Sequence, residues 1–236
     1  MAPPIVTATI QAAVISVISN LLAQAITAHQ TSTPLIIDWI PVFQYALFAV
    51  VSTPPNFLWQ EFLESTFPAY HMAPTAEAVV SASKSDDAEL DDEARTGRIV
   101  EPRLNKRNTL VKAVLDQTVG AALNTLGFSM FVGGIRQGMK HHYDDAGAAG
   151  AGAGKKGRWG FLVEPRDAVR YEQVRWDSVW EAAKGEFWPL VKAGWRFWPA
   201  VSLVNYVFLT SVEARSLLGS LAGLGWGVYI SLVTGQ

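Results

Sequence analysis

The sequence predicts an all-α fold, a polytopic bundle of four to five transmembrane helices with a short amphipathic helix at the membrane surface. Half of the 236 residues are hydrophobic and only 17% are charged, against about 25% in soluble domains. The mean hydropathy is +0.17. No Lys or Arg precedes Lys84, and no charged residue follows Arg215. Charge is therefore confined to the middle of the chain, between long apolar stretches.

Five of these stretches approach the roughly 20 apolar residues that cross a bilayer core. Within a single membrane domain covering residues 1–236, the candidate membrane helices are 5–28, 35–62, 109–135, 187–209 and 216–234. The second contains Pro54 and Pro55 in the run "STPPN". Because proline donates no backbone hydrogen bond, we expect that helix to be kinked or broken there.

Three connecting segments have compositions that differ from those of the spans. Residues 71–108 are rich in Ser, Ala, Asp and Glu and are predicted to be a flexible loop, because such a composition cannot bury a core. Residues 140–158 read as a Gly/Ala linker. Residues 164–184 place Val and Trp among charges, which favours an amphipathic helix lying at the membrane surface.

Polar and small residues recur at helical spacing inside the spans. Asn20 and Gln24 share one face of the first span, and Asp116, Gly120, Asn124 and Gly127 form a similar stripe in the third. Such stripes are typical of contacts between membrane helices. In the last span, two overlapping GxxxG steps predict close helix packing, through Gly219, Gly223 and Gly227.

Charged residues inside a span are costly and usually face the bundle interior or a wet cavity. Arg196 lies nine residues after Phe187, about 13 Å into a span of about 30 Å, and Lys192 precedes it by one turn. We expect Asp116 to pair with one of these cations in a dry contact, or the charges to line a solute pathway. Trp195 and Trp198 are placed to stack on Arg196 as cation–π partners. The candidate pore-lining or buried polar residues are Asn20, Gln24, Asp116, Gln117, Asn124, Lys192, Arg196, Ser202, Asn205 and Arg215.

Several short motifs follow one another along the predicted spans. The array W-x6-W-x2-W-P-x5-N-[FY] begins at Trp188 and is followed by Arg215 and "WGVYIS". Upstream lie "SNLLAQ", "TPPNFLW" and "KAVLDQ". Together these motifs resemble the Mpv17/PMP22 family of small organellar membrane proteins, whose upstream motifs are GDxxxQ, GPxxHxW and KxxxDQ. The resemblance touches every predicted span in order. Its motif residues include Trp59, Trp188, Trp195, Trp198, Pro199 and Trp226.

The chain departs from the family pattern before Arg215, where "LTS" replaces the family's VP with one extra residue, and at three single motif positions. Asn20 stands where the family has Asp, Phe57 where it has His, and Ser202 where it has Gln. The two charged linkers also look like insertions relative to compact members. The resemblance implies a protein of the mitochondrial inner membrane, or alternatively of the peroxisomal membrane. It also implies a channel, since some members are reported to form channels.

Two functions are consistent with the predicted membrane fold and the family resemblance. The first is a channel or solute-permeation protein that supports metabolite or nucleotide homeostasis; the second is a non-transporting structural or accessory subunit of a larger membrane complex. The expected partners are the lipid bilayer, a small solute or ion, and a further copy of the chain or a larger complex. With a net charge of −2, no cysteine and four scattered His residues, the sequence predicts no nucleic-acid binding, catalytic, cofactor or metal site.

Overall fold

The computed structural model describes residues 2–84, 100–142 and 168–234. Its described part is a bundle of helices, which confirms the all-α fold class. The helices are α1 (Pro4–Gln30), α2 (Trp39–Thr66), α3 (Ala76–Lys84), α4 (Lys106–Leu115), α5 (Ala121–Gly138), α6 (Trp176–Gly194), α7 (Trp198–Phe208) and α8 (Val212–Thr234).

Two helical stretches in the described residues are long and apolar enough to cross a membrane by length and composition. They are Pro4–Gln30 and the stretch Lys106–Gly138, which joins α4 to α5 through a π-helical turn at Asp116–Gly120. These two correspond to the first and third predicted spans. The count of four to five spans remains a prediction.

The predicted break of the second span is wrong, whereas the alternative of a kink stays a prediction. Helix α2 runs without a break through Pro54 and Pro55. Asp38 begins it by accepting a hydrogen bond from the backbone N–H of Ile40, an N-cap that satisfies one otherwise unpaired donor. Two prolines remove only two hydrogen bonds from a helix of 28 residues, and packing of α2 along α1 supports the rest.

The predicted fourth span, 187–209, is also not one helix. Helix α6 ends at Gly194, a turn occupies Trp195–Phe197, and α7 begins at Trp198. Pro199 lies in the first turn of α7, where its missing N–H is harmless but where it cannot continue a preceding helix. The residues predicted as a separate surface helix at 164–184 belong instead to α6 from Trp176 onward, while 164–167 lie outside the described residues.

The ends of the predicted loop 71–108 are ordered. Strands β1 (Tyr70–Pro74) and β2 (Val100–Leu104) pair antiparallel, with Tyr70 opposite Leu104. The Asn105 N–H also donates to the Ala69 carbonyl at 2.7 Å. The chain leaving α2 and the chain entering α4 must run past each other in opposite directions, so their backbone groups satisfy one another. Residues 85–99 and most of the 140–158 linker lie outside the described residues.

Packing brings the second half of the chain against α1 and α2. Helix α8 packs on α1, α7 packs on α4, and α5 packs on both α2 and α6. Gly133 and Gly134 permit the α5–α6 contact, because added Cβ atoms would lie 3.1 Å from Val179 Cγ1 and 3.0 Å from Trp176 Cη2, respectively. This arrangement places polar side chains of α2, α7 and α8 against one face of α4.

Candidate functional site: a buried polar network

An ion triad joins three helices near the end of α2. Glu64 Oε2 accepts hydrogen bonds from Lys112 Nζ, at 2.6 Å, and from Arg215 Nη1. Lys112 is fully buried and Arg215 is 2% exposed, whereas the Glu64 side chain is 27% exposed. Because each buried cation has a carboxylate oxygen as its partner, the cost of removing it from solvent is offset.

The carboxyl of Glu64 follows the second predicted span and has a shifted pKa. Burial raises that pKa, but hydrogen bonds from Lys112, the Ala69 N–H and Arg215 outweigh the burial and leave it below its ordinary value. The carboxylate is thus held in its charged form. It anchors two cations and, at 2.9 Å, the backbone that leaves α2.

Arg215 also terminates α7. Its Nε donates to the carbonyls of Asn205 at 3.2 Å and Leu209 at 3.0 Å, and its Nη2 donates to Leu209 at 2.8 Å. The last carbonyls of a helix lack partners within the helix, so a guanidinium there is stabilising. The Tyr206 ring lies 5.0 Å from Lys112 Nζ and 5.4 Å from the Arg215 Cζ, within range for cation–π attraction.

A second cluster forms around Asp116, at the start of the π-helical turn. Asp116 Oδ2 accepts from Ser202 Oγ at 2.6 Å, and Oδ1 accepts from Gln60 Nε2 at 3.1 Å and Trp59 Nε1 at 3.3 Å. Ser202 Oγ in turn accepts from Gln117 Nε2 at 2.7 Å. All of these donors are neutral, so the carboxylate is stabilised by hydrogen bonds alone.

Tyr206 links the two clusters by donating to Gln60 Oε1 at 3.0 Å. We call the connected set the polar network; it joins α2, α4, the π-helical turn, α7 and α8. Its members are Trp59, Gln60, Glu64, Lys112, Asp116, Gln117, Ser202, Tyr206 and Arg215.

The π-helical turn explains why the predicted stripe of the third span holds only in part. Gly120 lies against the network, because an added Cβ would meet Trp59 Nε1 at 2.9 Å. Asn124 is exposed, and an added Cβ at Gly127 would meet no atom within 4 Å. An i→i+5 turn contains one more residue than an α-turn, so the faces after it are rotated by about 100°. The prediction of one stripe assumed an uninterrupted α-helix from Asp116 to Gly127, and this assumption is wrong.

The predicted partnership between Asp116 and Lys192 or Arg196 is also wrong. Lys192 and Arg196 are exposed at the break between α6 and α7, and no ion pair of theirs occurs within the described part of the chain. The carboxylate oxygens of Asp116 have neutral donors instead.

The predicted aromatic stacking on Arg196 does not occur. Trp195 Nε1 donates to the Gln117 carbonyl at 3.0 Å. Trp198 and Trp226 pack with Phe197, whose ring stacks on Trp226 at 5.7 Å. Trp188 is exposed. The tryptophans of the carboxyl-terminal motif therefore hold the α6–α7 break against α4 and α8 rather than cover a cation.

Asn20 and Gln24 lie away from the network, at the contact between α1 and α2. Gln24 Nε2 donates to Asn20 Oδ1 and to the Asp38 carbonyl, both at 2.8 Å, and Gln24 Oε1 accepts from the Asp38 N–H at 2.8 Å. Both polar side chains are used to hold the start of α2 against α1. They do not line the same space as Asp116.

The glycines of α8 behave differently from one another. Added Cβ atoms at Gly219 and Gly223 would meet no atom within 4 Å, whereas one at Gly227 would lie 3.1 Å from Ser19 Oγ of α1. The predicted close packing therefore occurs within the chain only at Gly227. At Gly219 and Gly223 it is wrong for the single chain, since α1 crosses α8 nearer its end.

Sequence reasoning missed Gln60, Glu64, Lys112 and Tyr206 as members of a buried network. A usable signal was present, because Gln60 and Glu64 are four residues apart, as are Lys112 and Asp116. Residues at that spacing share one helix face. When these two helix faces pack side by side, Lys112 meets the Glu64 carboxylate and the Gln60 amide meets the Asp116 carboxylate, as the structure shows. Among the described residues, no group of three His, Asp or Glu side chains is arranged to hold a metal ion.

The comparisons with known proteins concern mainly the carboxyl-terminal half of the network. Residues 171–231 match the model of the Mpv17 / PMP22 family. "PXMP2/4 family protein 3" of Dictyostelium discoideum is 40% identical over 48 residues, 20% of this chain and 26% of the relative. "Protein SYM1" of Gibberella zeae is 36% identical over 59 residues, 25% of this chain and 33% of the relative.

"Protein SYM1" of Yarrowia lipolytica is 31% identical over 55 residues, 23% of this chain and 27% of the relative. These matches span between about a quarter and a third of the curated relatives' length. No solved structure matches the chain. Residues 171–231, which contribute Ser202, Tyr206 and Arg215 to the polar network, are similar to the Mpv17 / PMP22 family, in agreement with the resemblance carried by the motifs of the chain.

Proposed function

We propose that this membrane protein is a structural or accessory subunit of an organellar membrane complex, in which the polar network holds the helices together instead of lining a pathway. The observation that carries the proposal is the use of Asp116. Each of its carboxylate oxygens is occupied by a side-chain donor, and the Ser202 and Gln60 that supply these donors are themselves buried. A charge that lines a wet pathway would instead present unoccupied oxygen atoms to solvent.

A second observation supports contact with other membrane components. One face of α8 carries Gly219 and Gly223 with open space beside each, so a helix from another chain can approach its backbone closely there. The family resemblance favours the mitochondrial inner membrane over the peroxisomal membrane as the location.

Solute permeation is the second candidate, and a specific observation favours it. Three buried polar atoms beside the network have no hydrogen-bond partner: Thr109 Oγ1, Gln117 Oε1 and Asn205 Oδ1. Buried polar groups are usually satisfied by protein or by water. These atoms could bind water or a polar solute in a conducting form of the bundle.

Recording from the purified full-length chain in planar bilayers separates the two candidates. If the protein is an accessory subunit, the recordings should show no conductance above that of protein-free bilayers. A native gel of the native membrane should then show the protein in a species larger than the monomer. Gly223→Leu should abolish that larger species while the monomer stays folded.

The opposite result is also defined. A conductance whose ion selectivity shifts in folded Asp116→Asn protein, but not in Glu186→Gln protein, would replace the accessory role with a permeation role. Glu186 is the matched control because it is an exposed carboxylate on α6. Membrane fractionation of cells that express the chain tests the assignment to mitochondria.

A further inference from the structure

The break between α6 and α7 borders an open groove of about 300 Å³. Its lining is almost entirely apolar and comes from two sides of the bundle: Ala113, Val114 and Gln117 on one side, Trp195 and Pro199 on the other. Val114 is 53% exposed and Trp195 48% exposed, so the groove opens at the outer surface of the protein. An elongated apolar molecule can enter it from the surrounding membrane.

The indole that forms one wall is fixed in place. Trp195 Nε1 donates to the Gln117 carbonyl across the groove at 3.0 Å, although nearly half of the side chain remains exposed. The hydrogen bond orients the ring, and the exposed part of the ring is left available for contact. The wall is therefore formed before any ligand binds, which lowers the entropy cost of binding.

Lys192 and Arg196 lie close in the chain to this wall, since Lys192 precedes Trp195 by three residues and Arg196 follows it directly. The turn that carries Trp195 and Arg196 is tighter than an α-turn, because the N–H groups of Arg196 and Phe197 donate three residues back to Ala193 and Gly194. Two cations therefore lie within about one turn of the indole that lines the groove.

Both cations are exposed, and neither forms an ion pair with a carboxylate of the described chain. Lys184, on the same helix, shows the contrast, since it pairs with Glu181 at 2.7 Å. Exposed Trp188 and Trp195 flank the two cations. Exposed Trp side chains beside Lys and Arg are typical of the membrane–water interface, where the cations reach the headgroups.

We propose that Lys192, Arg196 and the groove beside Trp195 bind one anionic phospholipid. Its phosphate lies between the two cations, and one acyl chain lies along Trp195, Pro199 and Val114. The charge of the cations selects the headgroup, and the apolar groove requires that the anion carry a hydrocarbon chain. The site shares Gln117 with the polar network and does not depend on the proposed accessory role.

Native mass spectrometry of the purified full-length protein, with phosphatidylglycerol and phosphatidylcholine as probes, tests this site. Wild-type protein should retain phosphatidylglycerol at least tenfold more tightly. Since each cation near an anionic lipid contributes about a fivefold change in affinity, Lys192→Gln with Arg196→Gln should weaken phosphatidylglycerol about thirtyfold and leave phosphatidylcholine nearly unchanged.

Two further variants distinguish the groove from general surface charge. Lys184→Gln, the matched control, should leave both affinities unchanged. Val114→Gln makes the groove wall polar at an exposed position and should weaken both lipids together. Equal retention of the two lipids by wild-type protein, or equal losses in the Lys184 and Lys192/Arg196 variants, overturns the proposal. Displacement of phosphatidylglycerol by millimolar inorganic phosphate also overturns it, because the site would then recognise a free anion.

Discussion

Two pairs of cations, in or directly beside predicted spans, have opposite surroundings. Lys112 and Arg215 are buried at 0% and 2% exposure, and both contact Glu64. Lys192 and Arg196 are exposed at a helix break. Depth along the sequence had favoured Arg196 as the buried charge, because it follows the start of an apolar stretch by nine residues.

The difference shows that the position of a carboxylate, and not hydropathy alone, decides which cation is buried. Glu64 lies at the end of α2, where it faces both Lys112 and Arg215. Lys192 and Arg196 meet no such group in the described chain. An unpaired cation in lipid costs at least about 2.5 kcal/mol, and the break at Trp195–Phe197 lets these two residues reach the surface.

The largest effect is expected for Glu64→Gln. This change leaves Lys112 and Arg215 buried without a carboxylate, so the free energy of unfolding should fall by about 3 to 5 kcal/mol. Thermal unfolding in detergent, followed by circular dichroism, measures the loss. Glu61→Gln, one turn earlier and exposed, should change stability little. A loss below 1 kcal/mol for Glu64→Gln would mean that the cations do not depend on it.

Asp116→Asn tests the part of the network that has no cationic partner. The oxygens of Asp116 accept from Ser202, Gln60 and Trp59, and hydrogen bonds to a charged group contribute about 1.5 to 3 kcal/mol. We expect a destabilisation of that size in the same unfolding assay. Asp177→Asn is the control, since that side chain is 76% exposed. Equal effects of the two changes would show that Asp116 is not part of a buried network.

Lys192 and Arg196, the exposed pair of cations, should contribute almost nothing to the free energy of unfolding. We expect Lys192→Gln combined with Arg196→Gln to change the free energy of unfolding by no more than about 0.5 kcal/mol, as is usual for surface substitutions. Lys112→Gln in the same assay should be severely destabilising, because it leaves Glu64 and Arg215 without their third member. Similar losses in both proteins would remove the distinction between the two pairs.

The smallest effect is expected for Gly223→Leu, which extends the comparison from charges to glycines. A Cβ at Gly223 meets no atom within 4 Å, so the unfolding of the isolated chain should not change measurably. At Gly138 a Cβ would lie 2.7 Å from Val169 Cγ1, and Gly138→Ala should cost about 1 to 3 kcal/mol through overpacking. The reverse order of the two effects would place the tight helix contact on α8.

Local sequence patterns were sufficient to predict those features of the structure that depend on a single stretch of the chain. The uncharged stretch 5–28 becomes Pro4–Gln30, because an apolar run of that length has few alternatives to a helix in lipid. Of the candidate residues selected from the sequence, Asp116, Gln117, Ser202 and Arg215 lie in the polar network. Their polarity conflicts with an apolar surrounding, and this conflict is visible in the sequence.

Features that depend on distant partners were not predictable in this way. Glu64 meets Arg215 across 151 residues, and no local pattern encodes that contact. The π-helical turn rotates the Asn124 face away from the network, although residues 109–135 look like one regular helix. In both cases packing between helices, which a single sequence does not display, sets the result.

The two-stranded sheet has a consequence for how the chain tolerates change in length. β1 and β2 hold residues 70–74 beside residues 100–104, and Ala69 bonds both to Glu64 and to Asn105. The two ends of the intervening segment are thus tied together beside the ion triad. Each doubling of such a closed loop costs only about 0.6 kcal/mol. An affinity tag or a reporter domain inserted between residues 84 and 100 should therefore leave the helices in place, which makes this segment the natural point for attaching a probe to the folded protein.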